Sequence, residues 1–292
     1  MSRVVTVGLD GTPESLTAAR WAAREARSRQ ATLRMTHAWI LLSDERDHPP
    51  AEGNDPNYWP KWIIDQAMRS IEPVYPDLPV VEDLVAEDPV DALLSAAAES
   101  ELLVLGSRDM APMASYFLGD IGLHVMARAQ APTVFVRARE DPAPADAEGE
   151  GDLTVALSLR GPCDELLEFA FTGAARSGVT LRAVHARNLP AAAYTRGGIV
   201  ADPYFRGEVV GRAQRELADV LRPWREKFPE VRVVETVWAQ SPARAVVRGA
   251  VGAGLLVVGR REERPRVAPP VGNVLAAAVH HAPCPVAIVP HG

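Results

Sequence analysis

Short apolar runs recur along the first half of the chain: Val4 to Leu9, Leu33 to Ile40, Val80 to Val85, Leu102 to Leu105 and Thr133 to Val136. Stretches with helical periodicity separate them, an alternation that predicts a parallel sheet with helices on both faces. The first helix is announced by Gly11-Thr12-Pro13-Glu14. Thr12 can cap the free amides, Pro13 suits the first helical position and Glu14 favours the positive end of the dipole, so this helix is expected to run to about Arg29. Ser43 to Pro60 contains Pro49, Pro50, Pro56 and Pro60 and reads as irregular, with the next helix starting near Lys61 and turning Ile64, Met68 and Ile71 inward. In the second half the corresponding loop, Leu189 to Arg206, precedes a longer helix with an apolar stripe at Val209, Ala213, Leu217 and Val220.

The two halves repeat one another. Arg3 to Trp39 superimposes without a gap on Gly151 to Arg187 at a shift of 148 (185 − 37), so Thr6, Val7, Leu9 and His37 recur as Thr154, Val155, Leu157 and His185. Further on the shift is 153 (259 − 106), pairing Pro89, Gly106, Gly119 and Pro132 with Pro242, Gly259, Gly272 and Pro285. Only the middle of each half changes length. Between them an acidic segment rich in Pro, Ala and Gly reads as a linker, with the boundary near residue 145. The expected domains are residues 1–140 and 152–292, joined by residues 141–151.

A length of 292 residues agrees with two domains. The net charge of −7 argues against a nucleic-acid partner, and no apolar run reaches the roughly 18 residues of a membrane span. Two cysteines, Cys163 and Cys284, cannot form a disulfide framework, and the amino terminus enters a strand pattern with no signal-peptide core. A cytoplasmic location is expected, with no metal site.

In an open parallel sheet, ligands bind at the carboxyl ends of the strands, where loops and helix amino ends expose backbone amides to anions. The candidate positions are therefore Asp10 after the first strand, His37 and Ala38 after the second, and Gly106 to Asp120 after the fourth. Each also has a plainer reading. Asp10 before a glycine is a common turn-maker, and His37 and His185 are expected as packing or hydrogen-bonding residues. Asp120 and Asn273 are expected as helix N-caps. His280, His281 and Cys284 lack a further ligand, Cys163 lacks a base partner, and Tyr58, Trp59 and Trp62 are expected to pack onto the core.

The segments Val-Gly-Leu-Asp-Gly-Thr-Pro-Glu-Ser at the start, Leu-Leu-Val-Leu-Gly-Ser-Arg before the loop, and Ala-Pro-Thr-Val-Phe-Val then Ala-Pro-Cys-Pro-Val-Ala-Ile-Val closing the halves resemble the universal stress protein family. The resemblance covers both halves. It implies an α/β architecture of two tandem Rossmann-like domains, of the adenine nucleotide alpha-hydrolase-like kind, each a five-stranded parallel sheet of order 3-2-1-4-5 with helices on both faces. Many members bind ATP through a loop of the pattern Gly, two residues, Gly, nine residues, Gly, then Ser or Thr, with an aspartate after the first strand meeting the ribose or the metal-bound phosphates. The resemblance also implies pairing through the last strands, so an intrachain pseudo-two-fold pair and a homodimer are expected.

Carried over residue by residue, the first half keeps Asp10, Gly106 and Gly119, but has Asp109 for the middle glycine and Asp120 for the hydroxyl residue. Two unit charges about 4 Å apart repel by roughly 4 kcal/mol at an effective dielectric near 20, so two carboxylates oppose a polyphosphate there. The second half departs further, with Ser158 for the aspartate, Glu262 for the middle glycine and Asn273 for the hydroxyl, keeping Gly259 and Gly272. Its Arg260, Arg261, Arg264 and Arg266 are able to attract an anion. No nucleophile and base pair is recognisable. Two functions are expected in competition: a non-catalytic stress-response or signalling protein with degenerate nucleotide loops, or an ATP-binding protein with nucleotide-gated association or slow hydrolysis, using Asp10, Gly106 and Gly119 with Mg to offset Asp109 and Asp120.

Overall fold

The structure, a computed structural model, describes residues 3–39, 58–107, 120–137, 151–189, 203–262 and 271–292, and divides into two units, Met1–Pro142 and Ala143–Gly292. In the first unit the order is β1 (Val4–Gly8), α1 (Pro13–Arg29), β2 (Thr32–Ala38), α2 (Tyr58–Ile71), β3 (Val80–Val85), α3 (Pro89–Ala98), β4 (Leu102–Ser107), α4 (Asp120–Arg128) and β5 (Thr133–Arg137). Strand β1 is central, pairing with β2 and β4, while β3 joins β2 and β5 joins β4, every pair parallel.

The second unit repeats this with β6 (Asp152–Leu157), α5 (Asp164–Ser177), β7 (Leu181–Ala186), α6 (Pro203–Lys227), β8 (Val233–Trp238), α7 (Pro242–Gly249), β9 (Ala253–Arg261), α8 (Asn273–His281) and β10 (Val286–His291). Here β6 lies between β7 and β9, with β8 outside β7 and β10 beside β9, again all parallel. No helix among the described residues is long and apolar enough to cross a membrane.

Local chemistry sets the helix starts. Asp88 accepts from the amides of Val90 and Asp91 ahead of Pro89, and Ser241 accepts from Arg244 ahead of Pro242, so a cap followed by proline begins α3 and α7 at equivalent places. Helix α1 ends at Gln30, at φ 53°, and α5 ends at Gly178, at φ 65°, the left-handed turn that closes a helix. In α1 the small residues Ala18, Ala19, Ala22, Ala23 and Ala26 are buried, which lets the helix lie close to the sheet. Each large aliphatic side chain removed from water, such as Leu33, Met35, Leu102 and Leu103, contributes about 2 kcal/mol.

Several elements differ from their expected form. Helix α2 begins at Tyr58 rather than near Lys61, and Trp59 and Trp62, expected on the core, are 67% and 37% exposed. Their rings meet edge to face, with centroids 5.7 Å apart. The buried stripe of α6 runs through Ala213, Leu217 and Leu221, with Val220 only half-buried, because a strict four-residue step follows the face turned to the sheet. The described part of the linker begins at Gly151; residues 138–150 lie outside the described residues, as do Asp109, Gly119, Arg264 and Arg266.

Candidate functional site

At the carboxyl end of β1 the chain turns through Gly11, at φ +79°, a conformation natural to glycine. The Asp10 carboxylate accepts from the amide and hydroxyl of Thr12 at 3.0 and 2.5 Å. Thr12 in turn caps α1, its hydroxyl oxygen accepting from the Ser15 amide at 3.2 Å. Asp10 therefore shapes the turn while remaining exposed at the mouth of the first unit. Its negative charge also lies at the positive end of α1.

Gly106 stands where β4 passes that helix end. A Cβ on it would lie 2.6 Å from the carbonyl carbon of Glu14 and 2.7 Å from the Ser15 amide nitrogen, so this glycine admits the first turn of α1 against the strand. Ile63 of α2 covers Gly11 from the other side. His37 places Nδ1 2.8 Å from the Leu9 carbonyl oxygen, tying β2 to the end of β1, and stacks on Trp39. Ala38 is the last residue of β2, in register with Val85, and the next amide, of Trp39, donates to the Val85 carbonyl at 3.0 Å. Asp120 lies within α4 as its first residue rather than as its cap, correcting the expected role, and its own negative charge complements the helix amino end that an anion would otherwise meet. Asp10, Gly106, His37 and Ala38 thus gather at the carboxyl ends of three neighbouring strands.

The second unit builds the same corner differently. By the shift of 148, α5 would start at Gly161; it starts at Asp164, three residues later (164 − 161). Ser158, exposed after β6, has no aspartate chemistry to offer, and the segment Arg160-Gly161-Pro162 has no Ser, Thr or Asp to act as cap. Cys163 takes the capping position without a side-chain hydrogen bond. Burial first, then the charges of Asp164 and Glu165, push its thiol above the usual range, so it is protonated at neutral pH and a poor nucleophile. Leu159 occupies the position of Gly11 and keeps its left-handed backbone, at φ 53°. Such a conformation costs a side-chain-bearing residue about 1 kcal/mol. Leu159→Gly is expected to stabilise the second unit by up to about 0.5 kcal/mol, the gain that remains after glycine's unfolded-state entropy, measured as the shift of its urea transition.

The unit's own side chains fill the region near Gly259. A Cβ there would lie 2.5 Å from His291 Nε2 and 3.1 Å from Leu166 Cδ2. The His291 ring is held by Nδ1, which faces the carbonyl oxygens of Pro162 and Gly292 at 3.1 and 2.9 Å. Arg261 donates to the Arg160 carbonyl and lies over Gly161, closing strand β9 onto the β6–α5 loop. Glu262 donates its amide to the His291 carbonyl at 3.0 Å. Gly272 caps α8 with no side-chain bond, and Asn273 is the first helical residue rather than the cap, correcting the expected role: the glycine's extended backbone, ψ 156°, takes the capping geometry one residue earlier.

His185 repeats the contact of His37, with Nδ1 2.7 Å from the Leu157 carbonyl oxygen, but its ring is buried. Beside it Glu216 of α6 accepts from Arg187 at 3.0 Å and Arg212 at 2.9 Å. Those guanidinium groups hold its carboxyl below the usual range, Arg212 through a hydrogen bond being the largest cause. Sequence reasoning missed His291 and Glu216. Glu216 aligns with Ile63 at the shift of 153, so exchange of an apolar residue for an acid beside new arginines was the visible signal; His291 had none. Among the described residues no group of His, Cys, Asp or Glu could hold a metal ion.

Comparison with known proteins places both units in one frame. The family model described as "Universal stress protein family" matches residues 1–137 and 152–290. Universal stress protein Rv2005c of Mycobacterium tuberculosis is 30% identical over 97% of this chain and 96% of its own length. Universal stress protein Rv2623 of the same organism is 25% identical over 97% and 95%. Among solved structures, a universal stress protein from Archaeoglobus fulgidus aligns over 100% of both chains with a TM-score of 0.64 at 15% identity, a likeness of fold.

Proposed function

Because the chain belongs to the universal stress protein family, with both halves matching it, we propose that it is a non-catalytic stress-response or signalling protein with two unequal, degenerate nucleotide crevices. The observation that carries this reading is the closed corner of the second unit. There His291 packs against Gly259 and Arg261 donates to the Arg160 carbonyl, so the unit's own side chains occupy the corner. In the first unit Asp10 is spent on the turn, and Asp120 brings a carboxylate to the amino end of α4. No step of bond making or breaking is assigned to either corner. The reading includes self-association of two chains, for which light scattering is expected to give twice the chain mass.

Charge removal tests the proposal. Asp109→Gly with Asp120→Ser takes two negative charges from the first unit's loop and is expected to tighten binding of Mg·ATP at least about tenfold, or about 1.4 kcal/mol. Calorimetric titration of the native and substituted chains measures it. Unchanged affinity would show that those carboxylates do not set nucleotide binding.

A further inference from the structure

We propose that His185 is an acid-sensitive latch: its neutral ring pins the end of β6 to β7 and keeps the β6–α5 loop closed, and taking up a proton releases that loop. His185 lies in register with Leu157 of β6 and Val237 of β8, and it is 4% exposed. Its Nδ1 is 2.7 Å from the Leu157 carbonyl oxygen. A carbonyl oxygen only accepts, so Nδ1 carries the hydrogen and Nε2 holds a bare lone pair in the neutral ring. That Nε2 is buried and has no hydrogen-bond partner among the described residues.

A buried lone pair is a modest penalty, whereas a second proton at Nε2 creates a charged donor with no acceptor in place. The charged groups bearing on the ring are Arg187 on its own strand, Arg160 in the β6–α5 loop and Glu216 on α6. Both arginines oppose a positive ring. Glu216 favours one, but its carboxylate already accepts from Arg187 and Arg212. Strand β6 offers the Leu157 carbonyl, and the charges of α5 (Asp164, Glu165, Glu168, Arg176) and of β8 (Glu235) are not among the groups that bear on the ring. Burial, the largest cause, pushes the imidazole below the usual histidine range, against the Leu157 hydrogen bond.

The sign follows from linkage. An opened or unfolded segment takes up the proton near the ordinary value of about 6.5, and the closed form only at lower pH. Stability of the closed form is therefore fully present above about pH 6.5 and is lost as pH falls through the window beneath it. The loop is built to yield there, with Leu159 in a left-handed conformation and α5 lacking a side-chain cap. The first unit supplies an internal control: His37 makes the equivalent contact at 2.8 Å but is only half-buried, and its loop has Gly11 and the Thr12 cap.

Hydrogen exchange of the full chain at about pH 7.5 and about pH 5.5, with labelling times scaled for intrinsic exchange, tests the latch. Residues 157–163 and 185–189 are expected to lose about tenfold in protection at the lower pH, while residues 9–15 and 37–39 keep theirs. His185→Asn preserves a donor to the Leu157 carbonyl but cannot titrate, so its loop is expected to respond to neither pH; His37→Asn is expected to respond as the native chain does. Should His185→Asn not fold, imidazole NMR of the native protein decides, with His185 expected as the Nδ1–H tautomer titrating below about 6.5. Equal loop protection at both pH values, an acid response retained by His185→Asn, or titration of His185 at or above about 6.5 would each overturn the proposal.

Discussion

Gly106→Ala is expected to destabilise the first unit by about 3 kcal/mol. The new Cβ would meet backbone atoms of Glu14 and Ser15 at 2.6 to 2.8 Å, and those atoms belong to a helix turn fixed by Thr12 and Pro13. Backbone cannot swing aside, so either α1 shifts off β4 or the strand bends. The equivalent Gly259→Ala meets the His291 ring at 2.5 Å and Leu166 at 3.1 Å, both side chains. The ring can turn away by giving up its contacts with two carbonyl oxygens, so the cost is expected to be nearer 1 kcal/mol. Urea unfolding of the two full-length variants measures the contrast. Equal losses would mean that the repeated glycine serves the same contact in both units.

Phe171→Ala is expected to cost the second unit about 4 kcal/mol. Phe171 is fully buried in α5, and its ring lies 5.9 Å from Trp224 and 5.6 Å from Phe228 of the α6 end. The alanine leaves a cavity between helix and sheet that two large rings cannot both collapse into. The first unit has Ala23 at this position, so the ring cluster is particular to the second unit's α5. Thermal unfolding followed by tryptophan fluorescence reports the change, and a loss under about 1 kcal/mol would show that Trp224 and Phe228 refill the space.

The repeating scaffold was legible because its punctuation is chemical and local: prolines at first helical positions, glycines where strands meet helices, and apolar runs of strand length. Pro13 begins the helix it announced, and Pro89 and Pro242, paired by the repeat, begin α3 and α7. The hydrogen-bonding role of His37 and His185 was legible as well, since the repeat placed both at strand ends. What escaped depended on partners distant in sequence. His291 reaches Gly259 only because β10 and β9 run in parallel register, and nothing near residue 291 records that. The late start of α5 follows from a missing cap, whose effect spreads over a whole turn. Trp59 and Trp62 remain exposed because α2 turns Ile64, Ala67 and Ile71 inward instead.

Calorimetric titration of the native full-length chain with Mg·ATP, read for stoichiometry as well as affinity, bears most directly on the inequality of the two corners. A closed second unit and an acid-lined first unit predict no tight site, and at most one weak site per chain with a dissociation constant near or above about 1 mM. Two sites per chain with dissociation constants of about 1 μM would contradict it, because neither the side chains packed against Gly259 nor the carboxylates of the first unit would then be keeping nucleotide out.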